Sequence, residues 1–435
     1  MEHRFITDDN ERFKIHSKLM KNKKELIKGL NFFNRISFVI YSNIDGIITC
    51  FDGNRTFNLT GKELNDNVSN YDKTKPLYTK CHHCRNEKVH TTLYECYCSF
   101  RDENKAIRRL TKDLVSPMMN GTPPKLSKYL FLMFNHNKDF FPISNPEEYR
   151  WNIDSTKGSF IWCDNGFKGE VQKYDINSAF PYILQSSLKF PYKEGEFLII
   201  DKLPKKLKYG TYRCKITGIN PKLFKHNETN KYTHIDIKLA RKYDYNIELI
   251  QDGQPNFLYY NDDCLYSGTE IFKDVIDYLY KFKKEKKEPT RLIKTIITSM
   301  YGILTQHNHF VSTIGYDEEF DMPEKKLISL TRNRTNKTMT ITYVDESDGY
   351  KGIMPRLNPF MLSQSRYRLS QMIYPDIDKI VRVQTDSFYT IELDVEYETG
   401  IELGELKYEG QGYVDIIHVN LIKDENGKYI VGKKN

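Results

Sequence analysis

Two aspartates stand at positions where a predicted strand ends, and each could hold a divalent metal ion. Asp386 lies in "KIVRVQTDSFYTIEL" (379–393), whose alternating, β-branched arms predict a hairpin with the turn at QTDS. Asp175 follows the predicted strand 171–174. Taken singly, each acid is more typical of a turn or a helix cap than of a metal site. Presented together from neighbouring strands, two carboxylates could hold a pair of Mg²⁺ ions and support phosphoryl transfer.

The segment "RLIKTIITSMYG" (291–302) predicts a helix with one apolar and one cationic face. At about 100° per residue, one arc of that helix holds Leu292, Ile293, Ile296, Ile297 and Met300. The opposite arc holds Arg291, Lys294, Thr298 and Tyr301. Two cations without an acid suit a chain of phosphates, although an ordinary solvated helix surface is the other interpretation. We expect Gly302 to end the helix as a C-cap.

The preceding segment, 268–289, is also predicted to be helical. Its apolar stripe consists of Ile271, Phe272, Val275, Ile276 and Leu279. The charged run "KKEKKEP" ends this helix, so the two segments together predict a helical hairpin.

Four cysteines cluster in "CHHCRNEKVHTTLYECYC" (81–98). Cys81 and Cys84 have the spacing of a zinc knuckle, and Cys96 and Cys98 could complete a tetrahedral thiolate site. The alternative is a set of reduced thiols, because a long chain without a secretory signal does not favour disulfides.

Bulk composition describes a globular, mildly basic chain. Its 435 residues suffice for two or three domains, and the net charge of +8 permits a polyanionic partner without requiring one. The N-terminal stretch lacks the apolar core of a signal peptide, and the longest apolar run, 129–134, is too short to span a bilayer. We therefore expect a cytoplasmic protein with no membrane partner. Irregular, proline-bounded sequence places a domain boundary near residue 155.

Three ordered motifs resemble those of family B DNA polymerases. The segment "DINSAFP" (175–181) resembles motif A, "KTIITSMYG" (294–302) resembles motif B, and "QTDS" (384–387) resembles motif C. Upstream, "TKGSFIW" (156–162) is similar to a template-contacting sequence of the protein-primed branch, which is found in phages, viruses and linear plasmids. The resemblance covers residues 156 to about 420.

The resemblance implies roles for individual residues. Asp175 and Asp386 would bind two catalytic Mg²⁺ or Mn²⁺ ions, with the backbone carbonyl of Ile176 as a further ligand. Nucleotide-binding roles fall to Ser178, Phe180, Arg291, Lys294 and Tyr301. Of these, Phe180 would exclude a ribose 2′-hydroxyl by its bulk, and Tyr301 would pack against the nascent base pair. Lys157 and Gly158 would contact DNA.

The chain departs from the family pattern at several positions. Gln384 replaces the first motif C aspartate, which should weaken metal positioning by about 10 to 100-fold if that position acts indirectly. Thr298 replaces the motif B asparagine. Val419, Asn420 and Leu421 stand where a primer-gripping KxY motif is expected. No stretch of the N-terminal region resembles a proofreading exonuclease motif.

The resemblance implies an α+β fold with the architecture of a right-hand polymerase. We expect an α+β N-terminal domain (1–155) and a polymerase core (156–435). The core would comprise an antiparallel palm sheet (156–265 and 351–400), helical-hairpin fingers (266–305), an insertion (306–350) and a reduced thumb (401–435). Within the insertion, "RNRTNK" (332–337) is either a DNA contact or simply an exposed hairpin tip.

The function implied is template-directed DNA synthesis from deoxynucleoside triphosphates on a primer-template. A terminal protein or a clamping partner would compensate for the reduced thumb. The alternative is a catalytically weak homologue that serves as a nucleic-acid-binding or scaffolding subunit. Gln384 favours that alternative, whereas the joint presence of Asp175, Asp386, Lys294 and Tyr301 opposes it.

Overall fold

The computed structural model describes residues 39–44, 47–51, 56–60, 77–78, 93–116, 122–319, 325–333, 335, 337–391 and 397–431. Side chains are described from Asp102 onward, apart from Lys325. The chain divides into two compact units, Met1–Phe134 with Asp277–Ile303 and Asn135–Ile276 with Leu304–Asn435. We call them the first and the second unit.

The helices and strands of the described residues have the following bounds. The α-helices are α1 Leu93–Leu110, α2 Pro123–Phe134, α3 Pro146–Ser155, α4 Ala179–Leu184, α5 His234–Lys242, α6 Gly268–Ile271, α7 Lys273–Lys284, α8 Thr290–Leu304 and α9 Leu357–Ile373. Short 3-10 helices span Asp262–Cys264, Glu346–Asp348 and Tyr374–Lys379. The strands are β1 Val39–Ile44, β2 Ile47–Phe51, β3 Thr56–Thr60, β4 Leu77–Tyr78, β5 Ile161–Cys163, β6 Lys168–Ile176, β7 Lys189–Pro191, β8 Glu196–Leu198, β9 Gly210–Thr217, β10 Lys231–Thr233, β11 Asn246–Leu249, β12 Phe257–Tyr259, β13 Leu265–Ser267, β14 Phe310–Gly315, β15 Lys325–Asn333, β16 Thr338–Asp345, β17 Ile380–Gln384, β18 Ser387–Thr390, β19 Leu406–His418, β20 Leu421–Lys423 and β21 Tyr429–Val431.

The first unit combines a four-stranded sheet, in the order β3-β2-β1-β4, with helices α1, α2 and most of α8. The predicted apolar arc of α8 is confirmed, because all five of its residues are buried. Ser127 of α2 donates a hydrogen bond of 2.8 Å to the carbonyl oxygen of Ile296, which ties the two helices together. The prediction for Gly302 is wrong. Helix α8 continues through Gly302 to Leu304, because the apolar periodicity also includes buried Leu304.

The second unit is built on a seven-stranded antiparallel sheet in the order β21-β20-β19-β6-β18-β17-β5. Strand β6 lies between β19 and β18, so its backbone is bonded on both sides. The structure therefore has the mixed helix and antiparallel-strand composition expected of an α+β protein.

The two faces of β6 have different surroundings. Tyr174 and Ile176 point into an apolar cluster that also contains Leu369 and Ile373 of α9. Val171 belongs to a second apolar cluster. Because strand side chains alternate between faces, Lys173 and Asp175 share the face of Val171. That face is apolar at the start of β6 and polar at its end.

Further strands extend the second unit. Strands β8 to β12 form a five-stranded sheet, β7 pairs with β13, and β14, β16 and β15 form a three-stranded sheet. The three-stranded sheet occupies the predicted insertion, and the stretch "RNRTNK" lies where β15 turns into β16. The predicted thumb region contributes β19, β20 and β21 to the seven-stranded sheet.

The predicted domain assignments remain predictions. The compact units divide the chain at Phe134, Ile276 and Ile303, and not at residue 155. Among the described helices, none is both long and apolar enough to cross a membrane.

Candidate active site

Asp175 is the second-to-last residue of β6, the strand that pairs with β18 and β19. Asp175 is directly opposite Ser387 of β18 on one side and Lys407 of β19 on the other. Residues directly opposite in an antiparallel pair project from the same face of the sheet. Asp386 immediately precedes Ser387 in the chain. The register therefore brings the backbone of Asp386 close to the backbone of the Asp175 segment.

A tight turn, as predicted, carries Asp386. Gln384 pairs with Ser387 across the β17–β18 hairpin, which leaves only Thr385 and Asp386 in the turn. The Ile176 amide donates a hydrogen bond of 2.8 Å to the carbonyl oxygen of Asp386. The structure thus brings together the chain segments that bear the two predicted metal ligands, and half-buries both aspartates.

Thr385 adopts a left-handed backbone conformation, with φ of 58°. This conformation is unfavourable for a β-branched residue and is found mostly where surrounding contacts enforce it. One such contact is the hydrogen bond of 2.8 Å that the Thr385 amide donates to the carbonyl oxygen of Phe160. The segment before β5 thereby holds the turn in place.

Burial and neighbouring charges set the electrostatics of the site. Burial raises the pKa of Asp386, and its own backbone amide opposes that effect. The pKa of Lys407 is raised, chiefly by its hydrogen bond to Glu409 and further by the charge of Asp175. Sequence reasoning missed Lys407, because only the strand register shows that it faces Asp175.

A cavity of about 450 Å³ opens on the polar end of this face. The residues that line it are Lys173, Tyr174, Asp175, Ser387, Tyr389, Glu409, Ile430 and Val431. The last two belong to β21, so the end of the described chain forms part of the wall. The cavity is polar and open enough to admit a charged ligand next to Asp175.

The donor set at the site is small and consists of oxygen atoms. Within the described ranges, no group of three or more His, Cys, Asp or Glu side chains is arranged to hold a metal ion. The carboxylates of Asp175 and Asp386 and the carbonyl of Ile176 are of the ligand type that Mg²⁺ prefers, and Mg²⁺ also keeps several waters or takes phosphate oxygens from a substrate. The residues present therefore suit a metal that arrives together with a phosphate ligand.

Gln384 is held by side-chain contacts on both sides. Its Oε1 accepts a hydrogen bond from Nη2 of buried Arg382, and its Nε2 donates one of 2.7 Å to Oδ1 of Asn420. The pKa of Arg382 is lowered, mainly by burial. The contact with Asn420 could not be inferred from the sequence, because Asn420 lies on a different strand connection.

The predicted DNA-binding residues Lys157 and Gly158 lie in the segment between α3 and β5. Arg366 of α9 donates from Nη1 to both of their carbonyl oxygens. Its Nη2 forms a buried ion pair of 2.8 Å with Oδ1 of Asp236. A side chain added at Gly158 would meet no other atom within 4 Å, so the space beside this segment is open.

The two motif A residues predicted to bind the nucleotide lie at the start of α4, Ser178 just before it and Phe180 within it. Ser178 occupies the N-cap position with φ of 52°, but its side chain makes no capping hydrogen bond. Asn177 instead donates to the carbonyl oxygens of Ile401 and Glu402, at 2.6 and 3.1 Å. Phe180 is partly buried against the core beneath β6.

The other residues predicted to bind the nucleotide lie on α8. Arg291 and Lys294 are exposed and Tyr301 is half-buried on α8, in the first unit. Their roles stay predictions. The zinc prediction also stays untested, because Cys81, Cys84, Cys96 and Cys98 lie outside the residues whose side chains are described.

No protein-family model and no curated protein matches the sequence. Solved structures of phi29 DNA polymerase do match the fold. Its complex with single-stranded DNA aligns with a TM-score of 0.55 and 14% identity over 94% of this chain and 78% of that chain. Its binary complex with primer-template DNA aligns with a TM-score of 0.54 and 15% identity over 94% of this chain and 78% of that chain. Its ternary complex with primer-template DNA and incoming nucleotides aligns with a TM-score of 0.54 and 14% identity over 94% of this chain and 80% of that chain. The chain therefore has a fold similar to that of phi29 DNA polymerase.

Proposed function

We propose that this chain is a template-directed DNA polymerase of the family B type. The observation that carries the proposal is the pairing of Asp175 with Ser387, the residue that follows Asp386, together with the Ile176–Asp386 backbone hydrogen bond, in a chain with a polymerase-like fold. Carboxylates from neighbouring strands are the arrangement that two-metal phosphoryl transfer requires.

The reaction joins a deoxynucleotide to a primer. The primer 3′-hydroxyl oxygen bonds to the α-phosphorus and its proton passes to water. The bond between the α-phosphorus and the oxygen that bridges to the β-phosphate breaks, and pyrophosphate leaves. Two bound Mg²⁺ or Mn²⁺ ions would supply the positive charge that activates the hydroxyl and stabilises the leaving group. Asp175, Asp386 and the carbonyl of Ile176 would hold these ions. Burial of Asp386 strengthens its electrostatic attraction to a cation.

The sequence resemblance assigns nucleotide binding to residues of motifs A and B. Lys294 and Arg291, exposed on α8, would neutralise the triphosphate, and Ser178 would donate to a phosphate oxygen. Tyr301 would pack on the nascent base pair. Phe180, anchored by its packing against the core, would exclude a 2′-hydroxyl by its bulk.

DNA is the second ligand. The solved structures that resemble this chain include complexes of phi29 DNA polymerase with primer-template DNA. We infer that Lys157 and Gly158 contact the template here, because Arg366 holds their backbone beside open space. Protein priming, the use of a terminal protein or clamping partner, and the lack of proofreading are further parts of the proposal that rest on the sequence resemblance.

A catalytically weak homologue is the second candidate, and the neutral Gln384 favours it. In that case the chain would bind primer-template DNA and serve as a subunit of a replication assembly. The distinguishing property is turnover, since both candidates bind DNA.

Primer extension with Mg²⁺ or Mn²⁺ tests the proposal. We expect the unmodified protein to extend a primer on a template, and Asp386→Asn to lose that activity. Asp378→Asn is a matched control, because Asp378 is an exposed aspartate of the same unit and should leave extension unchanged. Extension no greater than that of Asp386→Asn would refute the enzyme proposal, and DNA binding without extension would support the weak homologue. An arm without template tests whether the template is needed.

A further inference from the structure

Three side chains link the turn that carries Asp386 to the connection between β19 and β20. Arg382 donates from Nε and Nη2 to the carbonyl oxygen of Val419, at 3.1 and 3.0 Å, and from Nη2 to Oε1 of Gln384. Gln384 in turn donates to Oδ1 of Asn420 at 2.7 Å. Both Val419 and Asn420 lie between the last residue of β19 and the first of β20.

Gln384 also organises the turn through its backbone. Its carbonyl oxygen accepts hydrogen bonds from the amide of Asp386, at 2.8 Å, and from Oγ of Ser387, at 3.0 Å. Any displacement of Gln384 would therefore move Asp386 directly. The two side-chain hydrogen bonds hold Gln384 in place, and the hydrogen bonds to its backbone carbonyl oxygen hold Asp386 and Ser387 relative to it.

In the observed arrangement an amide at the centre matches both of its neighbours. Arg382 has only donors and uses the Gln384 oxygen as its acceptor, which leaves the Gln384 NH2 group to donate to the Asn420 oxygen. A carboxylate at this position has acceptors only, so it would keep the contact with Asn420 only if the Asn420 amide rotated to present its own NH2 group. Glutamine supplies both an acceptor and a donor. Its oxygen accepts a hydrogen bond from the buried guanidinium of Arg382, which would otherwise lose a partner.

We propose that Arg382, Gln384 and Asn420 form a positioning network that fixes Asp386 for metal binding. The inference rests on the proposed function, because it assigns Asp386 to a metal ion. It adds that Gln384 acts through its two hydrogen bonds, and that exposed Asn420, on another strand connection, controls the affinity of the site.

Direct Mn²⁺ binding, measured by electron paramagnetic resonance without nucleotide turnover, tests this network. We expect Asn420→Ala to weaken Mn²⁺ binding about tenfold, as the loss of an orienting partner does at metal sites. Thermal unfolding should be nearly unchanged, because Asn420 is exposed. Asn420→Asp keeps an acceptor for Gln384 and should restore the affinity. Ile417→Ala, an exposed change on β19, is the matched control and should have no effect.

A double-mutant cycle then separates a network from independent effects. In a Gln384→Ala background, Asn420→Ala should cause no further loss of Mn²⁺ affinity, because the bond is already absent. Additive losses, or an Asn420→Ala protein that binds Mn²⁺ as tightly as the unmodified one, would overturn the network. So would Mn²⁺ binding that survives Asp386→Asn. These titrations need no catalysis, so they remain informative if primer extension fails and the proposed function is rejected.

Discussion

The backbone amide of Ile176 donates a hydrogen bond to the carbonyl oxygen of Asp386, with an N···O distance of 2.8 Å. This bond and the adjoining ladder bring together the backbone segments that carry Asp175 and Asp386, although the two residues are far apart in the sequence. Only backbone atoms take part in it. Replacing either aspartate by asparagine should therefore preserve the local chain path, so that a loss of activity reports on the carboxylates themselves.

Metal-free stability should depend on the protonation of Asp386. Burial raises its pKa in the folded state. A raised folded pKa means that the stability contributed by Asp386 is fully present below the unfolded value of about 3.9 and is lost as pH rises through the folded pKa. Asp386→Asn removes this titration. We therefore expect the melting temperature of Asp386→Asn, relative to the unmodified protein, to increase as pH rises from about 4 to 7.

Thermal melts in chelator at several pH values measure this difference. Asp378→Asn is again the control, because its exposed carboxylate should give a difference that is nearly independent of pH. A constant offset between Asp386→Asn and the unmodified protein across the range would contradict the prediction.

The buried ion pair between Arg366 and Asp236 should be important for stability and for the Lys157–Gly158 segment. Removing one partner of a buried pair leaves an uncompensated charge, so Arg366→Met should cost about 3 to 5 kcal/mol of unfolding free energy. Breaking the exposed pair of Lys168 and Asp415 by Lys168→Met should cost less than about 1 kcal/mol. Denaturant titration of the two variants makes the comparison, and equal costs would count against a structural role for the buried pair.

The two faces of α8 should respond differently to substitution. Ile296 is fully buried, so Ile296→Ala should lower the unfolding free energy by about 2 to 5 kcal/mol. Lys294 is exposed, so Lys294→Ala should leave stability within about 0.5 kcal/mol and instead raise the KM for deoxynucleotides. Lys287→Ala removes another exposed lysine and serves as the control for charge. A Lys294→Ala protein with an unchanged KM would exclude Lys294 from nucleotide binding.

The cysteine cluster should bind one zinc ion per chain. The prediction from the sequence uses thiolates at Cys81, Cys84, Cys96 and Cys98. Cys96 and Cys98 are two positions apart on α1, and residues so spaced do not face each other on a helix, so only one of them would join Cys81 and Cys84 at the ion. Elemental analysis of the purified protein measures the stoichiometry, and Cys81→Ser with Cys84→Ser should reduce it to near zero. Cys264→Ser is the control, because that buried cysteine lies in the second unit. Zinc-free protein with an unchanged melting temperature after chelation would count against the site.

Local periodicity in the sequence was sufficient to identify several elements. The alternating arms around Asp386 predicted a hairpin, and the structure has β17 and β18 with a two-residue turn. The 3.6-residue spacing of Leu292 to Met300 predicted the buried face of α8. Both signals depend on neighbours a few residues apart, which is why a single sequence contains them. The C-cap prediction at Gly302 failed because glycine can also lie within a helix that packing holds together.

The chemistry-bearing residue types, Asp175 and Asp386, were therefore evident from the sequence alone, as was the replacement at Gln384. Only the tertiary structure decided that the segments bearing these aspartates pair, that Lys407 is opposite Asp175, and that Gln384 bridges Arg382 and Asn420. The reason is that strand order and register depend on long-range backbone pairing and shared core packing. No periodicity within one segment encodes which distant segment will become its neighbour.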